Sequence, residues 1–185
     1  MFARFRRARL DPAIPATLYG AIVAQARETA LYAELGVPDT VEGRFEMVVA
    51  HTGLVLRRLG NGDEAARAVG QAVFDVFCDE MDDALRSLGV KDTSVGKRMR
   101  RLAEAYYGRT EAYDAALAAG DAGRLASTLR RTVYEGGDEV AAAALAAYML
   151  DADRALAATP LERVIAGKIG WPAIVTPPQA AENQP

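Results

Sequence analysis

The sequence predicts an all-α protein, a single compact bundle of about six or seven helices arranged around a central helical hairpin. Three observations carry that expectation. Apolar residues recur at three- and four-residue steps along most of the chain, and no stretch alternates with the period of a strand. Glycine, proline and capping aspartates stand where the periodic runs end. The chain has 185 residues, 51% of them hydrophobic, enough for one domain with a real core. The division expected is a basic N-terminal arm over 1–13, a helical domain over 14–168 and a Pro-rich tail over 169–185.

The arm, MFARFRRARL, carries Arg4, Arg6, Arg7 and Arg9 with Phe2, Phe5 and Leu10 between them. Asp11, Pro12 and Pro15 interrupt the apolar run that a signal peptide would need. A basic, partly apolar arm suits contact with anionic lipid or RNA; a frayed terminus is the competing reading. The first helix is expected from Pro15 to Glu34, with Pro15 in the opening turn and Leu18, Tyr19, Ile22, Val23 and Ala26 inward. Leu35-Gly36-Val37-Pro38 stops it.

Asp39 with Glu42 three residues on has the spacing of a capping box and opens the second helix. One stripe runs Val41, Phe45, Val48, Val49, Thr52, Leu56 and Leu59, and another runs Gly43, Met47, Ala50 and Leu54. Two stripes imply neighbours on two sides, which places this helix centrally. Gly43 and Gly53 each lower helix propensity by up to about 1 kcal/mol against alanine, so close approach of a neighbour is expected there. His51 lies between the stripes, as a hydrogen-bonded structural histidine or as the centre of a helical enzyme.

Gly60-Asn61-Gly62-Asp63 is a turn, with Asp63 capping the helix that leads into the hairpin, Phe74 to Arg109. On its first limb Phe74, Cys78, Met81, Leu85 and Leu88 form the apolar stripe, with Asp75, Asp79 and Asp82 opposite and Arg86 one turn beyond Asp82. Gly89 suits a left-handed cap residue, Val90 its hydrophobic contact, and Asp92 or Ser94 the next start. The second limb buries Val95, Met99, Leu102, Tyr106, Tyr113 and Leu117 and turns Lys97, Arg98, Arg100 and Arg101 outward. Cations in the opening turns oppose the helix dipole, a local cost without a visible structural return. An acidic face followed by a basic one forms either a docking surface or two solvated faces.

Gly120-Asp121 breaks the pattern, and Leu125, Leu129 and Val133 carry it on to Tyr134. After the turn at Glu135-Gly136-Gly137-Asp138, an alanine-rich helix from Val140 to Leu156 is thin enough for close packing. Thr159-Pro160-Leu161-Glu162 has capping-box spacing and opens a short helix to about Lys168. The tail from Trp171 is expected to lack order unless Trp171 anchors it.

Composition narrows the chemistry. A net charge of −3 gives no case for a general DNA or RNA binder. One cysteine and one histidine exclude a disulfide framework and cysteine- or histidine-cluster metal sites. No apolar run approaches the ~20 residues a membrane span needs. Ser94-Val95-Gly96-Lys97 lacks the upstream glycine spacing of a phosphate loop, and Asp79, Glu80, Asp82 and Asp83 lack the pattern of a calcium loop. No metal, cofactor or catalytic residue is assigned.

The segments LYGAIVAQAR, LGVPDTVEGRFEMVVAHTGLVLRRL and FCDEMDDALRSLGVKDTSVGKRMRRLAEAYYGRTEAYDAAL resemble the ubiquinol–cytochrome c chaperone family, over about Leu18 to Tyr134. These are assembly factors for the cytochrome bc1 complex of mitochondria and alphaproteobacteria. The resemblance implies a helical, non-enzymatic chaperone that binds newly made cytochrome b. In mitochondria the family acts with a small partner protein at the ribosome exit. The Ala/Arg/Gly-rich composition favours a bacterial protein, cytoplasmic at the inner face of the inner membrane; the mitochondrial matrix is the eukaryotic equivalent. Matching positions include Gly36, Pro38, Asp39, Glu42, Gly43, Arg44, Phe45, His51, Asp82, Arg86, Gly89, Lys97, Tyr107, Gly108 and Arg109. The partner-binding residues expected from them and from the basic face are Arg44, Asp82, Arg86, Lys97, Arg98, Arg101, Tyr107 and Arg109. A ribosome- or RNA-binding module using the Lys97–Arg101 face is the third reading, with transient contact to a membrane surface compatible with the first and third.

Overall fold

The structure is a computed structural model that describes residues 11–87, 89 and 92–175. Expectations attached to residues 1–10, Leu88, Val90, the Asp92 side chain and residues 176–185 lie outside the described residues. Among those described, the fold is all-α, in eight helical segments of which two have only five residues.

Helix α1 (Ala13–Ala26) buries Leu18, Tyr19, Ile22 and Ala26, the inward side expected of it. It does not continue to Glu34. Glu28 adopts φ −57 and ψ 125, and a separate helix α2 (Thr29–Ala33) follows. The Tyr32 hydroxyl donates to the Ala26 carbonyl at 2.7 Å, satisfying a terminal acceptor and fixing the break. Gly36 then turns the chain at φ +63.

Helix α3 (Val41–Gly60) is the central element, packed against α1, α4, α5 and α7. Its cap is Thr40, not Asp39: Thr40 Oγ1 accepts from the Gly43 amide at 3.0 Å. The Asp39 carboxylate is held by Arg44 at 2.6 Å and is not available to the helix amides. Gly43 is required by contact, since a Cβ there would collide with the Pro38 carbonyl oxygen. Val41, placed inward by its phase, is 68% exposed because it opens the helix before any neighbour reaches it.

Helix α4 (Glu64–Ser87) is capped by Asp63, whose carboxylate accepts from the Ala66 amide at 2.8 Å. Its buried side is Ala66, Val69, Gly70, Val73 and Phe77. The expected stripe of Phe74, Cys78, Met81 and Leu85 is only half-buried. The side that meets α1 and α3 is rotated toward Phe77, and past Phe77 no described residue of α4 is buried. Gly89 has the left-handed φ of +77 expected after the helix. Helix α5 (Asp92–Ala119) buries Val95, Tyr106, Tyr113 and Leu117, while Met99 and Leu102 are half-buried.

Asp121 caps α6 (Ala122–Thr132) and Asp138 caps α7 (Glu139–Ala158), each accepting from the third amide onward at 2.9 Å. The alanines of α7 allow intimate packing on α6 and α3. Thr159 closes α7, donating to the Ala155 carbonyl at 2.8 Å, and does not cap α8 (Leu161–Ile165). Helix α8 stops short of Lys168 because Gly167 turns left-handed at φ +71. Beyond it Ile169, Trp171 and Ile174 pack against the core, so Trp171 does anchor the segment that carries it.

Candidate functional site

His51 is fully buried on α3. Its Nδ1 lies 2.8 Å from the Met47 carbonyl, which can only accept, so Nδ1 carries the proton. Nε2 then accepts from the Tyr148 hydroxyl at 2.9 Å, and that hydroxyl accepts from Gln25 Nε2 at 3.0 Å. Burial holds the imidazole pKa down to about 4, against 6.5 ordinarily. The Trp171 ring stands edge-on at 5.4 Å. The open pocket beside an acid that a His51-centred enzyme requires is not formed among the described residues. His51 joins α1, α3 and α7.

The residues expected at a partner surface fall into three groups. Lys97, Arg98, Arg100 and Arg101 on α5 are exposed and make no ion pair among the described residues. Asp82 and Arg86 pair with each other at 2.6 Å on the outer face of α4, and Arg44 pairs with Asp39 beside Tyr32. The Arg44 guanidinium holds the Asp39 carboxyl below its ordinary value. Arg109 points inward: its Nη2 meets Glu46 Oε1 at 2.6 Å, and Glu46 is 5% exposed. Desolvation pushes Glu46 up to about 6, against the pull of the arginine. Arg109 therefore holds α5 to α3, a role invisible in sequence because Glu46 reads as an ordinary solvent-facing acid.

Tyr107 is 58% exposed and stands between two apolar clefts. The larger, about 460 Å³, opens between α3, α5 and α7, floored by Gly53, Leu54 and Met149 and walled by Tyr106 and Leu117. The smaller, about 250 Å³, lies between α3, α4 and α5 at Gly60, Gly70 and Phe74. Leu56, Tyr106 and Tyr107 line both. Phe74, Phe77, Tyr106 and Tyr107 meet in one aromatic cluster of tilted and edge-on rings, with neighbouring centroids 5.2 to 6.0 Å apart. At the rim Arg57 bridges Asp153 at 3.1 Å and Asp114. Gly53, Leu56, Gly60 and Met149 did not stand out in the sequence as site residues. The available signal was the doubled stripe of the central helix with a glycine inside it.

Fold and site define an all-α protein that offers an aromatic-walled apolar groove and, on α5, cations that are unpaired among the described residues. Residues 33–171 match the family described as ubiquinol-cytochrome C chaperone, and the chain belongs to that family. Its fold is similar to the crystal structure of the Cbp3 homolog from Brucella abortus, at 39% sequence identity and a TM-score of 0.80 over 88% of this chain and 90% of that one. No curated protein matches the chain. Membership implies an assembly chaperone of the bc1 complex. Among the described residues no helix is long and apolar enough to cross a membrane.

Proposed function

We propose that the protein is a holding chaperone for newly made cytochrome b, shielding an apolar segment of it until the bc1 complex can receive it. The single observation that carries this is the pair of clefts meeting at Tyr107, an apolar surface that the described residues leave open to solvent. Holding needs no chemistry, in keeping with a histidine locked in the core. The exposed Lys97, Arg98 and Arg101 speed the encounter and bias its orientation. Asp82, Arg86 and Arg44, exposed or half-exposed, extend the charged surroundings.

The work takes place at the inner face of the bacterial inner membrane. Arg4, Arg6, Arg7 and Arg9 would add roughly 1 kcal/mol each of attraction to anionic lipid. The test is capture of cytochrome b from detergent-solubilised membranes by the immobilised chain. The wild type is expected to retain cytochrome b, and Arg98→Glu with Arg101→Glu to capture it more slowly, the difference shrinking with added salt. A wild type that retains none would overturn the proposal. Vesicle flotation checks the arm, and equal binding without residues 1–10 would remove it from the account.

A further inference from the structure

Two ion pairs join α5 to α3, one buried and one at the rim of the larger cleft. At about 100° per residue, Glu46, Ala50, Gly53 and Arg57 share one face of α3. Arg109 meets that face at Glu46, Thr110 at Gly53 and Asp114 at Arg57. Ala50, Gly53 and Arg57 line the larger cleft together with Thr110 and Tyr113 of α5. The inner pair is incompletely satisfied: Glu46 Oε2 and Arg109 Nε are buried and have no hydrogen-bond partner among the described residues. The charged and titratable groups that face Glu46 are Arg109 and Tyr113, both of α5. Among the described residues α1, α4 and α7, which also pack on α3, set none against it. Outward from this seam α5 is loosely held, since none of its residues between Val95 and Tyr106 is buried.

We propose that α5 is a pH-sensitive flap: with Glu46 protonated it stays seated on α3, and with Glu46 ionised it lifts more readily and widens the larger cleft. Lifting brings water to both unpartnered atoms of the inner pair and ends the unfavourable burial of its charges. Burial holds the Glu46 carboxyl up at about 6, against 4.5 ordinarily, so a proton on Glu46 and the seating of α5 favour each other. Seating is therefore firmest below 4.5 and weakens as pH rises through 6. The flap controls access to the cleft, and its part in holding rests on the function proposed above; the movement itself does not.

A helix lifted off its neighbours loses the packing that holds it, so amide hydrogen exchange reads the movement. Corrected for intrinsic exchange, protection of the α5 amides from Tyr106 to Leu117 is expected to fall roughly tenfold from pH 5 to pH 7.5, the linkage value for a group raised from 4.5 to about 6. Glu46→Gln is expected to show no such fall, and the α7 amides of the wild type not to share it. Constant protection of α5, the same fall in Glu46→Gln, or an equal fall in α7 would each overturn the inference. A cross-link supplies the second arm. A Cβ built on Gly53 lies 3.9 Å from Thr110 Cβ, within the span of a disulfide. In a Cys78→Ser background, oxidised Gly53→Cys with Thr110→Cys is expected to keep α5 protected across that pH range and to capture cytochrome b several-fold more slowly than its reduced form. Thermal melts confirm that each variant folds. Capture as fast by the oxidised form would overturn the flap's part in holding. A wild type that captures no cytochrome b defeats the holding proposal alone, and the exchange profiles then decide the flap.

Discussion

The joint around His51 and the outer half of the α4–α5 hairpin are built on opposite terms. At the joint, every polar atom of the imidazole and of Tyr148 that faces inward has a partner, and Met47, Leu145, Met149 and Ala152 around it are at most 1% exposed. In the hairpin beyond Phe77 and before Tyr106, Val95 alone is buried among the described residues, and four cations stand unpaired. A buried polar group left unsatisfied costs more than a satisfied one contributes, so the joint tolerates little change. The outer hairpin has little to lose on folding grounds, and its composition is open to selection by whatever it meets.

The largest expected effect tests packing. Leu145→Ala, fully buried on α7, is expected to lose roughly 2–5 kcal/mol, while half-buried Leu102→Ala loses about 1 kcal/mol. Denaturant unfolding measures both, and equal losses would erase the contrast. Next is Tyr148→Phe, which strands His51 Nε2 and the Gln25 amide and is expected to cost roughly 1–3 kcal/mol by the same measurement.

Stability against pH sharpens the comparison. His51 is lowered to about 4 from 6.5, so its contribution is complete above 6.5 and is lost as pH falls toward 4, on the order of 3 kcal/mol in all. Glu46 is raised to about 6 from 4.5, so it stabilises fully below 4.5 and that share is lost as pH rises through 6. Between 4.5 and 6 the two slopes oppose. Glu46→Gln, which removes the opposing titration, is therefore expected to be steeper in its pH dependence over that window. Melts of variant and wild type with parallel slopes would show that Glu46 does not titrate there. The smallest effect is at the outer helix: Arg98→Glu with Arg101→Glu should leave the melting temperature unchanged or slightly higher, by about a few tenths of a kcal/mol through the dipole.

Much of the fold was legible because its boundaries are written in local chemistry. Asp63 caps as its place in the sequence says, the breaks read at Asp121 and Asp138 prove to be helix caps, and Gly36 and Gly89 turn left-handed as expected. The misreadings came where a long-range or neighbouring partner competed for a side chain. Asp39 went to Arg44 and left the cap to Thr40; Thr159 turned back to Ala155. Two stripes located α3 at the centre, yet the clefts need Met149 from α7 beside Gly53 from α3, a pairing that only the tertiary fold creates. The cationic face was legible, since exposure follows from phase; the inward pull on Arg109 was not, because its partner lies 63 positions earlier in the chain.

The protein's only tryptophan stands beside its only histidine, 5.4 Å between ring centres. Indole emission is blue-shifted in a dry surrounding and quenched by electron transfer to a neighbouring imidazolium, while neutral imidazole is a poor acceptor. Excitation at the red edge of the protein spectrum therefore addresses a single spot, where the segment after α8 packs beside His51 of α3. Emission from the folded chain should be bright while His51 is neutral and should dim when the ring charges. Departure of the C-terminal segment would instead red-shift it. One cuvette thus distinguishes proton uptake at the joint from its opening, with no label attached.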